Sequence, residues 1–349
     1  MHETYDWVRA LPKIDLHTHL DGSMRLATVV ELANALPAEQ RTWDNVDLES
    51  ALTPPARCPL ETYLGSFEYT LAVLQTAAAL ERAAVELCED AARENVIYME
   101  IRFAPLLHLH GGLSPREVVE AVLRGMSSAA SRLPIHTGLI LVALRNESSE
   151  RSLEVAQLAA QFRTKGVVGF DLAGPERDHP PFLHRSAIEF ARDAGVHITL
   201  HAGEGCCPEQ IREAVDLGTE RLGHGVYLFR DPTTEARVAQ SGIPLECCPT
   251  SNLQISGLMN DYADHPMKRY LDLGIRVTVN TDNRLFSHIT CTDELQRIAT
   301  AFQLTRDEIR RLLVNSAQAA FAEGSVRSRI ERAVNEAFSP DGETASLSC

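Results

Sequence analysis

The sequence predicts an α/β fold, a closed (β/α)8 TIM barrel with a helical insertion after the first strand and extra helices at the C-terminal end. Three observations carry that expectation. Eight short runs rich in Val, Ile and Leu recur along the 349 residues, each followed by a helical pattern. Such continuous apolar runs are what parallel strands buried on both faces look like. Histidines and an aspartate stand at the carboxyl ends of these runs, where barrels of this kind gather their chemistry. The first run also lacks the glycine-rich phosphate loop that would favour an open, doubly wound sheet.

The elements follow in order. Residues 5–11 read as a short lead-in helix and 13–19 as the first strand. Leu26, Val29, Val30 and Leu32 mark a helix over Met24–Leu36, with Asp21 or Ser23 as its cap. Pro37–Pro59 is polar and proline-dotted, a connecting loop. Leu60, Tyr63, Leu64, Phe67 and Leu71 form one apolar face of a helix over Leu60–Leu74. That face either packs on the core or roofs a pocket, and residues from about 24 to 75 together read as a helical lid insertion. Thr76–Glu94 is an alanine-rich helix. Strands are then expected at Val96–Phe103, His136–Leu144, Val167–Leu172, Val196–His201, Arg221–His224, Ile243–Cys247 and Arg276–Thr281. The alternating helices are Ser114–Arg132, opened by Ser-Pro, then Ser148–Thr164, Pro181–Ala194, Pro208–Leu217, Thr233–Ser241 and His265–Leu273, with another from near Thr292. Helix continues after Thr305, with Ile309, Leu312, Leu313 and Ala317 on one face. Residues 1–338 read as one barrel domain and 339–349 as a polar, disordered tail.

Composition narrows the function. Apolar residues are 44% and charged residues 23%, an ordinary globular mix. A formal charge of −15 repels a phosphate backbone, so no nucleic-acid partner is expected. No apolar stretch is long enough to span a bilayer, and the N-terminal MHETYDWVRALPK has no apolar signal core, so no membrane partner is expected. Cys349 stands last rather than four from the end, so no prenylation is expected. The eight cysteines include the adjacent pairs Cys206–Cys207 and Cys247–Cys248 and no CxxC. They do not read as a disulfide framework, and a reduced, cytoplasmic location is expected.

The stretch KIDLHTHLDG holds the first chemical signal. His17 and His19 lie two apart on a strand and so share a face. Alone, such a pair is more often two structural histidines than half of a metal site. The case changes because His201, His224 and Asp282 also fall at strand carboxyl ends, with Asp171 and Gly174 near the end of the fourth strand. A catalytic zinc takes three or four N/O donors and keeps a position open for water. His17, His19 and His201 supply nitrogens and Asp282 an oxygen. Glu204, three residues past His201, stands where a proton donor or acceptor beside the metal belongs. His224 can hold the water or stabilise its developing charge, and Asn283 adds a neutral amide at the rim. A bridging-carbamate two-metal site needs a lysine at the end of the fourth strand, whereas Lys165 precedes that strand. A cytidine-type zinc deaminase needs PCxxC, which is absent.

HTHLDG, DLAGPE, LHAGEG, RLGHG, CPTSNLQ and VNTDN, in this order, resemble the adenosine deaminase family of metal-dependent hydrolases. The resemblance spans about residues 11–320. It implies a (β/α)8 barrel with one zinc that converts adenosine or deoxyadenosine to inosine or deoxyinosine and ammonia. It further implies His17, His19, His201 and Asp282 as metal ligands, Glu204 as the acid that protonates purine N1, and His224 as the residue that positions and deprotonates the water. Asp282 would also accept a hydrogen bond from that water. Gly174 matches a backbone donor to N3, Asp21 the carboxylate on a ribose hydroxyl, and His19 a substrate contact beside its metal role. The helix Leu60–Leu74 resembles an apolar gate over the purine. One position departs: Asn283 stands where many members carry a second aspartate that bonds N7. An amide can still donate there, but a free adenine or a larger 6-aminopurine nucleoside such as aminodeoxyfutalosine becomes a competing substrate. Asp21 favours a nucleoside, since adenine deaminases of the superfamily tend to carry glutamate. A non-catalytic nucleoside-binding protein would have lost ligands or the acid, and this chain keeps them. An unrelated barrel hydrolase acting on an ester or amide is disfavoured only by the Gly174 and Asp21 contexts. Oligomeric state is not legible.

Overall fold

The computed structural model describes residues 5–37, 46–255 and 257–339. Eight strands pair in parallel in the order of the chain: β1 Lys13–His19, β2 Val96–Phe103, β3 His136–Leu144, β4 Val167–Ala173, β5 His197–Ala202, β6 Arg221–His224, β7 Leu245–Cys247 and β8 Val277–Val279. Beyond β8 the backbone turns back onto β1. Asp282 N–H donates to the His17 carbonyl at 2.8 Å, and His19 N–H donates to the Asp282 carbonyl at 2.7 Å. These bonds close the barrel and bring its last carboxylate against its first two histidines.

Between β1 and β2 lie α1 Leu26–Ala35, α2 Leu48–Ala51, α3 Leu60–Leu64, α4 Phe67–Val73 and α5 Ala77–Arg93. The outer layer continues with α6 Pro115–Ala130, α7 Ser149–Phe162, α8 Arg185–Asp193, α9 Pro208–Asp216 and α10 Pro232–Ser241. It ends with α11 Pro249–Ile255, α12 Met267–Asp272, α13 Cys291–Phe302, α14 Arg306–Ala319 and α15 Gly324–Ala337. The capping signals are local. Ser114 and Glu117 form a reciprocal capping box at the start of α6, as do Thr290 with Asp293 for α13 and Thr305 with Glu308 for α14.

Several expectations need correction. The lead-in segment Tyr5–Ala10 is a 3-10 helix. Residues 21–23 are also a 3-10 turn, so α1 starts later than expected, with Arg25 at its N-cap and no side-chain cap. Neither Asp21 nor Ser23 caps it; the Ser23 hydroxyl instead accepts the Arg284 N–H at 3.0 Å. The expected helix Leu60–Leu74 is two, α3 and α4, broken at Gly65–Ser66, where backbone bonds shorten to the i→i−3 pattern. The stretch Pro37–Pro59 is not all loop, since Asp47 caps the short α2. Residues 38–45 and, apart from Ser339, the expected tail lie outside the described residues. No helix among the described residues is long and apolar enough to cross a membrane.

Candidate active site

Parallel strands in a closed barrel present all their carboxyl ends at one mouth, and the predicted metal donors meet there. His19 Nε2 lies 3.3 Å from His201 Nε2 and 3.4 Å from Asp282 Oδ1, and His17 Nε2 lies 3.5 Å from the same Asp282 oxygen. The edge of a tetrahedron with donors about 2.0–2.1 Å from its centre is about 3.3–3.4 Å, which these three separations match, and the donor atoms of His17, His19 and His201 all lie within 4.8 Å of one another. His17 Nε2 is buried and has no hydrogen-bond partner among the described residues, as expected of a lone pair reserved for a cation. His224 lies close by, its donor atom within 4.8 Å of those of His17 and Asp282. Asp282 and His224 both adopt left-handed backbone, φ 60° and 65°, which non-glycine residues rarely adopt.

The donors are held by a buried ionic frame that the sequence reading missed. Glu246 Oε2 accepts from His17 Nδ1 at 2.8 Å, and Asp171 Oδ1 accepts from His201 Nδ1 at 3.1 Å. Each bond places the ring proton on Nδ1 and leaves Nε2 free for a metal. Arg102 joins the two carboxylates, donating to Asp171 Oδ2 and Glu246 Oε2 at 2.8 Å each. Burial alone would raise the Asp171 carboxyl, but His201 and Arg102 outweigh it and hold the group well below the usual range. Glu246 is held down against the same burial by Arg102 and Arg221. The available signal was charge inside otherwise apolar strands, Arg102 in VIYMEIRF and Glu246 beside Leu245.

Glu204 reaches the site through a sharp bend at Gly203, φ 68°, where a side chain would collide with Ile211. Its Oε1 stands 3.6 Å from His224 Nε2. Burial raises its carboxyl well above the ordinary value, with the charges of Asp282 and Glu176 adding to the shift. That shift favours the protonated form. The His224 ring is set by a relay. Met267 N–H donates to His265 Nδ1 at 3.1 Å, so that ring carries its proton on Nε2, which faces Asn252 Oδ1 at 3.1 Å. The Asn252 amide then donates to His224 Nδ1 at 3.0 Å and leaves the His224 proton on Nε2. Ser251 Oγ donates to the second Asp282 oxygen at 2.5 Å. Ser251 and Asn252 lie on α11, a helix the sequence reading omitted.

A cavity of about 210 Å³ adjoins these groups, lined by His19, Asp21, Gly174, Asn146 and the apolar side chains of Leu64, Phe67, Leu71 and Leu107. The apolar stripe thus divides: Leu60 and Tyr63 are buried in the core, while Leu64, Phe67 and Leu71 form the cavity wall. Burial pushes the Asp21 carboxyl up to about 7. Asp21 Oδ2 lies 3.9 Å from His108 Nε2, another atom without a hydrogen bond among the described residues. Asn283 is buried against Gly22 and is not among the residues lining this cavity, and its Oδ1 has no hydrogen-bond partner among the described residues. Against expectation, Cys206 and Cys207 are joined as a disulfide.

An eight-stranded parallel barrel with histidine and aspartate donors converging at its carboxyl mouth defines a metal-dependent hydrolase of the amidohydrolase class. The adenosine deaminase family model matches residues 12–337. An adenosine deaminase of Clostridium perfringens is 39% identical over 326 residues, covering 93% of this chain and 98% of that protein. Two solved structures share the fold. Adenine deaminase from Arthrobacter aurescens has a TM-score of 0.85 at 26% identity, covering 94% of this chain and 99% of that one. An amidohydrolase from Burkholderia ambifaria with bound zinc has a TM-score of 0.88 at 25% identity, covering 98% and 94%. The chain belongs to the adenosine deaminase family.

Proposed function

We propose that the protein hydrolyses the 6-amino group of adenosine or 2′-deoxyadenosine, giving inosine or 2′-deoxyinosine and ammonia, with one zinc ion held by His17, His19, His201 and Asp282. The observation that carries this reading is that His19 Nε2 stands 3.3 Å from His201 Nε2 and 3.4 Å from Asp282 Oδ1, with His17 Nε2 3.5 Å from the same oxygen, beside a carboxyl that burial raises well above its ordinary value. When bound, the cation supplies the Lewis acidity that makes water nucleophilic near neutral pH. Glu204 donates its proton to purine N1, which draws electrons from C6 as the C6–O bond forms and, later, the C6–N bond breaks. His224, with its proton on Nε2, orients the attacking oxygen as a hydrogen-bond donor, so the deprotonation also expected of it falls to Asp282. Asp282 accepts one proton from that oxygen and returns it to the departing amino group, which leaves as ammonia, while the remaining hydroxyl proton goes back to Glu204 as the C6 carbonyl forms. The Gly174 backbone N–H bonds N3, Asp21 holds a ribose hydroxyl, His19 flanks the ribose side of the cavity, and Asn283 donates to N7 once its amide turns from Gly22 toward the cavity, whose lining it does not join.

Residues 1–338 act in this reading as a single domain, with about 24–75 as the lid. Support comes from the position of α3 and α4, whose Leu64, Phe67 and Leu71 wall the cavity, with the Phe67 ring 6.2 Å from that of His19. The substrate is a small purine nucleoside taken from the cytoplasm. Free adenine is the second reading, favoured by the structural likeness to an adenine deaminase and by Asn283 in place of an aspartate. The test is ammonia release by zinc-loaded protein offered adenosine, deoxyadenosine, adenine and aminodeoxyfutalosine in parallel. We expect the two adenosines to give the highest kcat/KM. Inertness toward all four would end the proposal, and a preference for adenine would replace its substrate.

A further inference from the structure

Glu176 closes the DLAGPE run, which begins in the last residues of β4 and leads out of it. It is 1% exposed and lines neither the cavity nor the ring of metal donors. Its Oε2 accepts three consecutive backbone N–H groups from the next loop: Glu204 at 3.0 Å, Gly205 at 2.9 Å and Cys206 at 3.0 Å. Successive amides converging on one oxygen form a nest for negative charge, and hydrogen bonds of this kind are among the stronger ones in a protein. The clamp is fastened from behind. Gln210 Nε2 donates to the Glu176 carbonyl at 3.0 Å, Gln210 Oε1 accepts from Arg145 at 3.0 Å, and Arg145 also donates to the His201 carbonyl.

The Glu204 side chain has no comparable anchor. Among the described residues its carboxyl approaches the His224 ring at 3.6 Å and accepts no hydrogen bond. Its position therefore comes from its backbone, and that backbone comes off the left-handed Gly203 in a loop with two glycines. We propose that Glu176 is a positioning residue for the reaction: its carboxyl oxygen fixes the peptide that carries Glu204 and so sets where the acid meets the purine ring. This inference rests on the proposed role of Glu204.

Displacing a reacting group by about 1 Å costs roughly 10²-fold in rate, which sets the expected effect. Glu176→Ala should lower kcat about 10²-fold, move KM less than about 3-fold and leave bound zinc unchanged. Glu176→Gln, which keeps an oxygen acceptor for the amides, should recover most of that loss. If Glu176 acts through Glu204, the two substitutions are not additive, so Glu176→Ala in a Glu204→Gln background should change kcat by less than about 3-fold. Should Glu176→Ala unfold, Glu176→Asp, with its carboxyl drawn back by one methylene, is read in the same way. Full activity in both Glu176→Ala and Glu176→Asp, or an equal loss in both backgrounds, overturns the inference. The unaltered protein, assayed alongside, separates the two failures: if it releases no ammonia, the proposed function is at fault rather than the clamp.

Discussion

Glu204 and Asp282 are both buried carboxyls at one mouth, and their surroundings drive them apart. Burial would raise the Asp282 carboxyl, but His17, His224 and His19 around it hold it well below the ordinary range, while burial and the charge of Asp282 raise Glu204 well above it. Opposed shifts in neighbouring groups separate a proton acceptor from a proton donor. Glu204→Gln should therefore lower kcat by roughly 10²–10⁴-fold, the usual worth of general acid catalysis, with zinc content unchanged by metal analysis. Loss of zinc in that variant would make Glu204 a ligand instead. The sign of the pH dependence follows. A carboxyl raised above its ordinary value is protonated below its shifted pKa, so kcat should fall as pH rises through that value, and a rate that climbs throughout the alkaline range would contradict the acid role. On the substrate side, Asp21→Ala should raise KM for adenosine much more than for adenine, because only the nucleoside offers a ribose hydroxyl. Equal effects would remove Asp21 from ribose binding.

Elements differ in how far the sequence disclosed them. Most of the eight strands were legible as short runs rich in Val, Ile and Leu, a pattern that burial on both faces enforces, whereas β6 (RLGH) and β7 (LEC) were placed by the strand–helix rhythm around them. His17, His19, His201, Glu204 and Asp282 were legible for a related reason, as polar residues at the ends of such runs. The frame of Arg102, Asp171 and Glu246 was not assigned, because charges buried inside strands reveal a role only once the barrel has brought three strands together. The break between α3 and α4 was hidden because Gly65–Ser66 falls between two apolar positions of one helical stripe. The helix α11 was missed because it is seven residues long and opens with Pro-Thr-Ser-Asn, which reads as a turn.

That helix carries Ser251 and Asn252, and its anchor can be tested. Glu294 on α13 accepts the Thr250 N–H at 2.7 Å and also the Thr250 hydroxyl. Burial pushes its carboxyl up to about 7 from an ordinary 4.5. The folded state then holds a proton over that interval which the unfolded state has released, so stability falls as pH rises from about 4.5 to about 7. The full change is about 3 kcal/mol, from about 1.4 kcal/mol per unit. Glu294→Gln cannot ionise. Urea unfolding at about pH 5 and pH 8 should show the variant gaining on the parent by roughly that amount at the higher pH. Parallel pH profiles would mean that Glu294 is ionised in the fold.

At the scale of the whole molecule, closure of the barrel and assembly of the metal site are one event. The bonds that join the end of β8 to β1 run through the backbones of His17, His19 and Asp282, the residues whose side chains form the donor set. The site is thus lost when the barrel opens, and an ion bound there stabilises the closed form by RT ln(1 + [L]/Kd), about 4 kcal/mol at a free concentration a thousand times Kd. Removing the ion should lower the thermal midpoint of the whole domain and leave its folded circular dichroism unchanged, because the frame of Arg102, Asp171 and Glu246 holds the empty ligands in place. Glu246→Gln weakens that frame at His17 and should cost roughly 10–100-fold in zinc affinity, as loss of a partner behind a ligating histidine generally does. The shift of the midpoint on adding zinc to the metal-free variant should then need a correspondingly higher concentration. A zinc-independent midpoint in the parent protein would break the link between closure and metal binding, and unchanged affinity in Glu246→Gln would show that His17 needs no support from behind.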